Sequence, residues 1–126
     1  MPVEYQIDHK VQFVTITARG VVVLKDILDF MDVVVAQNAM SYPKLIDVRE
    51  AVGCFSDDDI MTMGACAQAY ALYDPRGPIG IVTANPKSIE NLRRFMNLAA
   101  GDRPIRLFSA VEEAQAWLHQ TATRPE

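Results

Sequence analysis

Cysteine, histidine and clustered basic residues are all scarce in this chain, and each shortage removes a class of function. There are two cysteines, Cys54 and Cys66, where a disulfide-stapled secreted scaffold needs more of them in a loop-rich chain. Both read as reduced thiols of a cytoplasmic protein. No Cys or His pair has the spacing of a zinc site. The two histidines, His9 in a predicted hairpin turn and His119 near the C-terminus, belong to no nucleophile motif, so no catalytic base can be named and the chain reads as non-enzymatic. The segment Arg76-Gly77-Pro78-Ile79-Gly80 runs into a strand rather than opening a helix, unlike a phosphate-binding loop. Nothing in the sequence calls for a cofactor.

Positive charge is thin as well. Twelve Lys and Arg stand against sixteen Asp and Glu, a formal net charge of -4, and Arg93-Arg94 is the sole adjacent basic pair. Nucleic acid and anionic membrane are thereby disfavoured, because both are held by clustered cations. Apolar runs such as Val21–Leu24 end quickly at Lys25 and Asp26, far short of the roughly 20 residues of a membrane span. The opening Met-Pro-Val-Glu-Tyr-Gln-Ile-Asp mixes acids with apolar residues, unlike a secretory signal.

What is present is alternation. Half of the 126 residues are hydrophobic, enough for one domain with a real core. Period-2 patterns at Val3–Ile7 and Val11–Ala18 predict strands joined by a turn at Asp8-His9-Lys10, with Val14, Ile16 and Ala18 on one face and Phe13, Thr15 and Thr17 on the other. Leu24, Ile27, Leu28, Met31, Val34 and Val35 recur at helical spacing over Leu24–Ala36, and Tyr42-Pro43 follows as a stop. Lys44–Val48 reads as a short inner strand. Ser56 with Asp57, Asp58 and Asp59 opens a second helix to about Tyr73, the acids compensating the helix dipole. Together with Asp47 the same acids could ligate a hard cation, a reading that demands extra geometry and ranks below dipole compensation. Ile79–Thr83 is a further buried strand, and Asn85-Pro86 opens a third helix that Gly101 closes. Ile105–Phe108 is the last strand; Ser109 to Glu112 forms a capping box before a helix burying Val111, Ala114, Trp117 and Leu118. The domain is taken as residues 1–120, with 121–126 a polar tail.

The order β-β-α-β-α-β-α-β-α predicts an α/β domain, a mostly parallel sheet of about five strands with an antiparallel N-terminal edge strand and about four helices. The chain as a whole resembles the SpoIIAA-like family, the fold of anti-sigma-factor antagonist or STAS domains, and within it an uncharacterised bacterial branch compared with CRAL-TRIO lipid-binding proteins. The likeness is carried by the β-β-α opening, Leu45-Ile46-Asp47, the loop Phe55-Ser56-Asp57 and the closing Arg106-Leu107-Phe108-Ser109 with Glu112-Glu113-Ala114-Gln115-Ala116-Trp117-Leu118. In the antagonists a helix opens with Asp followed by a phosphorylatable Ser. Here the stretch is Ser56-Asp57-Asp58-Asp59 and the phosphoacceptor position falls on Asp57 or Asp58, which argues against a kinase-driven switch.

Two surfaces stand out. The second helix is apolar or small nearly all round, so part of it is expected to meet another helix, a second subunit or a ligand; Met61, Ala65 and Leu72, with Phe30 and Val33 of the first helix, are the candidates for self-association as a homodimer. The carboxyl ends of the parallel strands are the usual place for a ligand or partner. There the candidates are Asp47, Arg49, Phe55, Ser56, Asn85 and Ser109, with Ser56, Asn85 and Ser109 equally explained as helix caps. Loss of Arg49 or Phe55 is expected to abolish binding with little loss of stability. The reading is a protein-interaction or regulatory module; the alternative, which the resemblance implies, is a carrier or sensor of a small apolar, lipid-like ligand.

Overall fold

The computed structural model describes residues 3–53, 55–69, 77–84, 90, 93–94 and 105–123. Its elements are β1 (Val3–Asp8), β2 (Phe13–Val22), α1 (Leu24–Ala36), β3 (Lys44–Gly53), α2 (Asp57–Ala69), β4 (Ile79–Val82), β5 (Ile105–Phe108) and α3 (Val111–Thr123). Glu90, Arg93 and Arg94 are also helical. The rest of the helix expected between Asn85 and Gly101 lies outside the described residues, as do Cys54, the expected continuation of α2 to Tyr73, and residues 124–126. Residues 121–123, expected to begin a polar tail, continue α3.

The five strands form one sheet in the order β1-β2-β3-β4-β5. β1 pairs antiparallel with β2, and every later pair is parallel. Because the order advances one way without reversing, right-handed crossovers send successive connecting helices to the same face. α1 and α2 accordingly touch one another. Val34 of α1 joins Val14, Ile16 and Ala39 in one buried cluster, and Phe30 and Ile46 pack against it. After β5, α3 turns back onto the opposite face. There Ala114 and Leu118 are buried with Leu45 and Val82, flanked by Phe13, Phe108 and Trp117. The core is thus two layers divided by the sheet.

β2 and β3 are both longer than their sequence patterns suggest. Opposite Ala18, β3 spends an extra residue: Thr17 pairs with Asp47, but Arg19 pairs with Glu50. This bulge lets Val48 and Ala51, three residues apart, both face the cluster with Ala18, Val22, Ile27 and Phe55, while Arg49 and Glu50 turn outward. β4 ends at Val82 opposite Asp47. Arg19–Val22 and Glu50–Gly53 therefore run on as a two-stranded ribbon beyond the end of β4. Gly20 within it has φ +71°, a left-handed value that glycine tolerates.

At the amino end, α1 closes with a Schellman turn. Asn38 takes φ 56° after the last turn, its N–H donates to the Val35 carbonyl at 3.1 Å, and Ala39 N–H donates to the Val34 carbonyl at 2.9 Å. The stop is thus Asn38 and not the later Tyr42-Pro43. Lys44, only 3% exposed, follows at the head of β3, and its Nζ donates to the Met40 and Tyr42 carbonyls at 2.8 Å each. Gly77 N–H donates to the same Met40 carbonyl at 2.8 Å.

Candidate functional site

Four charged side chains, Arg19, Asp47, Arg49 and Glu50, meet on the carboxyl half of the β2–β3 pair. Thr17/Asp47, Arg19/Glu50 and Val21/Val52 are alternate rungs of the β2–β3 ladder, with the bulge after the first and Gly20/Ala51 between the last two. Asp47 accepts from the Arg49 backbone N–H at 3.1 Å, Nε at 3.0 Å and Nη2 at 2.8 Å. The Arg49 guanidinium holds the Asp47 carboxyl below the usual carboxylate range, against the opposing effect of partial burial, and Arg19 adds to it. Asp47 in turn raises Arg49, with Glu112 and Glu50 contributing. Arg19 Nε meets Glu50 at 3.2 Å. Beyond these pairs Val21 and Val52 are 58% and 54% exposed.

Asp47, Arg49 and Glu50 are therefore not at the end of their strand, as the short apolar run Lys44–Val48 implies. The bulge explains the difference: the two charged residues after Val48 face solvent while the strand pairing continues to Gly53. Phe55 does follow the true end of β3. Its ring packs on the Ala18, Val22 and Ala51 cluster, and a Cβ on Gly53 would come within 2.6 Å of it. It is consequently a core contributor as well as a candidate contact.

Ser56 caps α2 as its position predicts. Asp59 N–H donates to Ser56 Oγ at 3.1 Å and Ser56 N–H donates to Asp59 Oδ2 at 3.0 Å, a reciprocal box with Asp in the usual Glu place. Asp57 pairs with Arg94 at 2.7 Å. Ser109 departs from the expectation. α3 begins at Val111, so Ala110 takes the cap position and its carbonyl accepts from Ala114 N–H at 3.3 Å; no Ser109 cap bond occurs among the described residues. Asn85 lies outside the described residues.

Ser109 instead lines an open groove of about 360 Å³ with Thr83, Arg93, Arg106, Leu107, Phe108 and Glu113. Thr83 is buried, and its N–H donates to the Phe108 carbonyl at 3.0 Å. The Arg106 guanidinium stands 5.7 Å from the centre of the Phe108 ring. Thr83 and Ser109 stand at strand carboxyl ends, where the sequence places a site; Arg93, Arg106, Leu107, Phe108 and Glu113 carry no such signal. No local motif links them; only the fold brings residues 83, 93 and 106–113 together.

The second helix is not enclosed on every side. Ile60, Met63 and Gly64 are buried, whereas Thr62, Ala65 and Ala69 are exposed and Met61 is 61% exposed. Of the other self-association candidates, Phe30 is half-buried, 5.7 Å from the Tyr5 ring, Val33 is half-buried, and Leu72 lies outside the described residues. Among the described residues no three His, Cys, Asp or Glu side chains converge as a metal site, and no helix is long and apolar enough to cross a membrane.

No protein-family model matches the chain, and no curated protein matches it. Among solved structures, the chain is similar to an uncharacterised protein of the DUF3478 family with a SpoIIAA-like fold from Shewanella loihica PV-4. The TM-score is 0.62 at 15% identity, over 92% of this chain and 93% of that one. The fold is SpoIIAA-like, as the order of elements and the closing helix imply.

Proposed function

We propose that the domain is a non-catalytic interaction module that docks a partner protein on the bare face of the β2–β3 ribbon. The observation that supports this reading is the ladder itself. Val21 and Val52 stand side by side, each more than half exposed, beside Arg19/Glu50 and the clamped Asp47–Arg49 pair. An apolar spot bordered by charges already held in place has the make-up of an interface, with a dry centre and a polar rim. Pre-paired charges also lose less freedom on docking than free ones.

A photo-crosslinking residue placed at position 21 or 52 in cells tests the reading, with the exposed turn position 11 as control. A discrete adduct from positions 21 and 52, absent from position 11 and lost with Arg49→Ala, is expected. An adduct of twice the chain mass identifies the partner as a second copy. If positions 21 and 52 capture nothing beyond what position 11 captures, the ribbon is not a docking face.

A further inference from the structure

We propose a second site beyond that reading: the groove at the carboxyl ends of β4 and β5 binds a small organic anion through Arg93 and Arg106, the acidic group being a carboxylate or a phosphate.

The topology explains why a groove lies there. In open parallel sheets the ligand crevice opens where successive helices leave for opposite faces. With the strand order β1-β2-β3-β4-β5, no such divergence arises between the earlier crossovers. It arises once, around β5. The helical residues before that strand lie beside α2, as the Arg94–Asp57 ion pair shows, while α3 after it packs on the other face with Leu45 and Val82. Arg93 comes from one side of this divergence and Glu113 from the other, with Thr83, Phe108 and Ser109 between them.

The lining specifies the ligand's chemistry. Among the described residues, neither Arg93 nor Arg106 has a carboxylate within ion-pair distance, although Arg19, Arg49 and Arg94 each have one. Two exposed arginines lining one groove in a chain of net charge -4 are a local exception to its overall sign. Their forked donors match a carboxylate or phosphate. The Phe108 ring supports the Arg106 guanidinium from one side and limits its swing. The Ser109 hydroxyl, not spent on a helix cap, adds a donor at the start of α3, where the first backbone N–H groups also favour negative charge. Glu113 opposes a highly charged anion but accepts from a hydroxyl. The groove volume suits a small metabolite more than a nucleotide. A short hydroxylated carboxylate or phosphate monoester meets all of these demands.

The test is a titration of the isotope-labelled full chain, followed at its backbone amides, with inorganic phosphate, with glycerate and with glycerol as the neutral control. Saturable shifts at Phe108, Ser109 and Glu113 are expected with at least one anion and not with glycerol. The anion that saturates distinguishes phosphate from carboxylate. Arg93→Gln and Arg106→Gln should each weaken binding about tenfold at unchanged melting temperature, and Arg106→Lys should fall between. Shifts that sodium chloride reproduces at matched ionic strength reduce the groove to a diffuse positive patch and overturn the proposal. So does unchanged affinity in the Arg93→Gln/Arg106→Gln double variant. Neither result bears on the β2–β3 ribbon, whose cross-linking is read separately.

Discussion

Asp47 and Arg49 are two residues apart on one strand, yet Arg49 returns three hydrogen bonds to the Asp47 carboxylate, one from its backbone and two from its guanidinium. The bulge after Asp47 leaves Val48 and Arg49 without rungs on β2, so the Arg49 backbone N–H can turn back to the Asp47 carboxylate while its side chain lies on the same side. The result is a local clamp that needs no other element.

The clamp has a pH signature. Arg49 holds the folded Asp47 carboxyl below its ordinary value of 3.8, so its contribution to stability is fully present above that value and is lost as pH falls through the depressed one. Asp47→Asn should therefore be less stable than the wild type at neutral pH, by a modest amount because Arg49 stands in solvent. The gap should close in strong acid. Urea unfolding at the two pH values measures it, and an equal gap at both would rule out the clamp as its source.

The two serines at helix starts should behave differently. Ser56→Ala removes an observed cap bond and should cost about 1 kcal/mol. Ser109→Ala removes none and should be close to neutral, since Ala110 already holds the cap position. Equal losses in thermal unfolding would contradict the assignment of the α3 start.

A methyl group at position 77 has nowhere to go. The Cβ would overlap the Tyr42 carbonyl oxygen and lie 2.6 Å from that of Ser41, both backbone atoms. Gly77→Ala should destabilise by about 2–3 kcal/mol. Gly20→Ala meets no atom within 4 Å and is strained by its φ of +71° alone, at about 1–2 kcal/mol. Chemical denaturation of the pair should rank Gly77→Ala as the worse.

Arg49→Ala and Phe55→Ala, a matched pair in the sequence reading, should now separate. Arg49 is exposed, and its removal should shift the melting temperature little. Phe55 packs on Ala18, Val22 and Ala51, so Phe55→Ala should cost about 2–4 kcal/mol, below the full value for a wholly buried ring. Indistinguishable melting curves would show that the Phe55 ring does not support that cluster.

The sequence was most legible where one signal governs one element. The i, i+3, i+4 spacing of α1 sets its limits at Leu24 and Ala36, and Ser56 marks the start of α2. β5 likewise falls on Ile105–Phe108. The bulge in β3 was hidden because Arg49 and Glu50 interrupt the apolar run without interrupting the pairing. Ser109-Ala110-Val111-Glu112 satisfies the capping pattern, yet α3 begins one residue too late to use the serine. Of the candidate residues at the strand ends, Asp47 and Arg49 come together directly, while Ser109 belongs to a groove assembled from three distant stretches. No local periodicity records such a meeting; it follows from the strand order and the face that α3 takes.

Burial of Lys44 makes the fold its own timekeeper. An amine-reactive label reaches the exposed Lys10 and Lys25 directly in the native state, but the Lys44 amine is enclosed with the Met40 and Tyr42 carbonyls. Its modification requires the amino end of the sheet to open, so the slow phase of labelling at this one lysine measures the rate or equilibrium of that opening, according to whether reclosure or the reagent is faster.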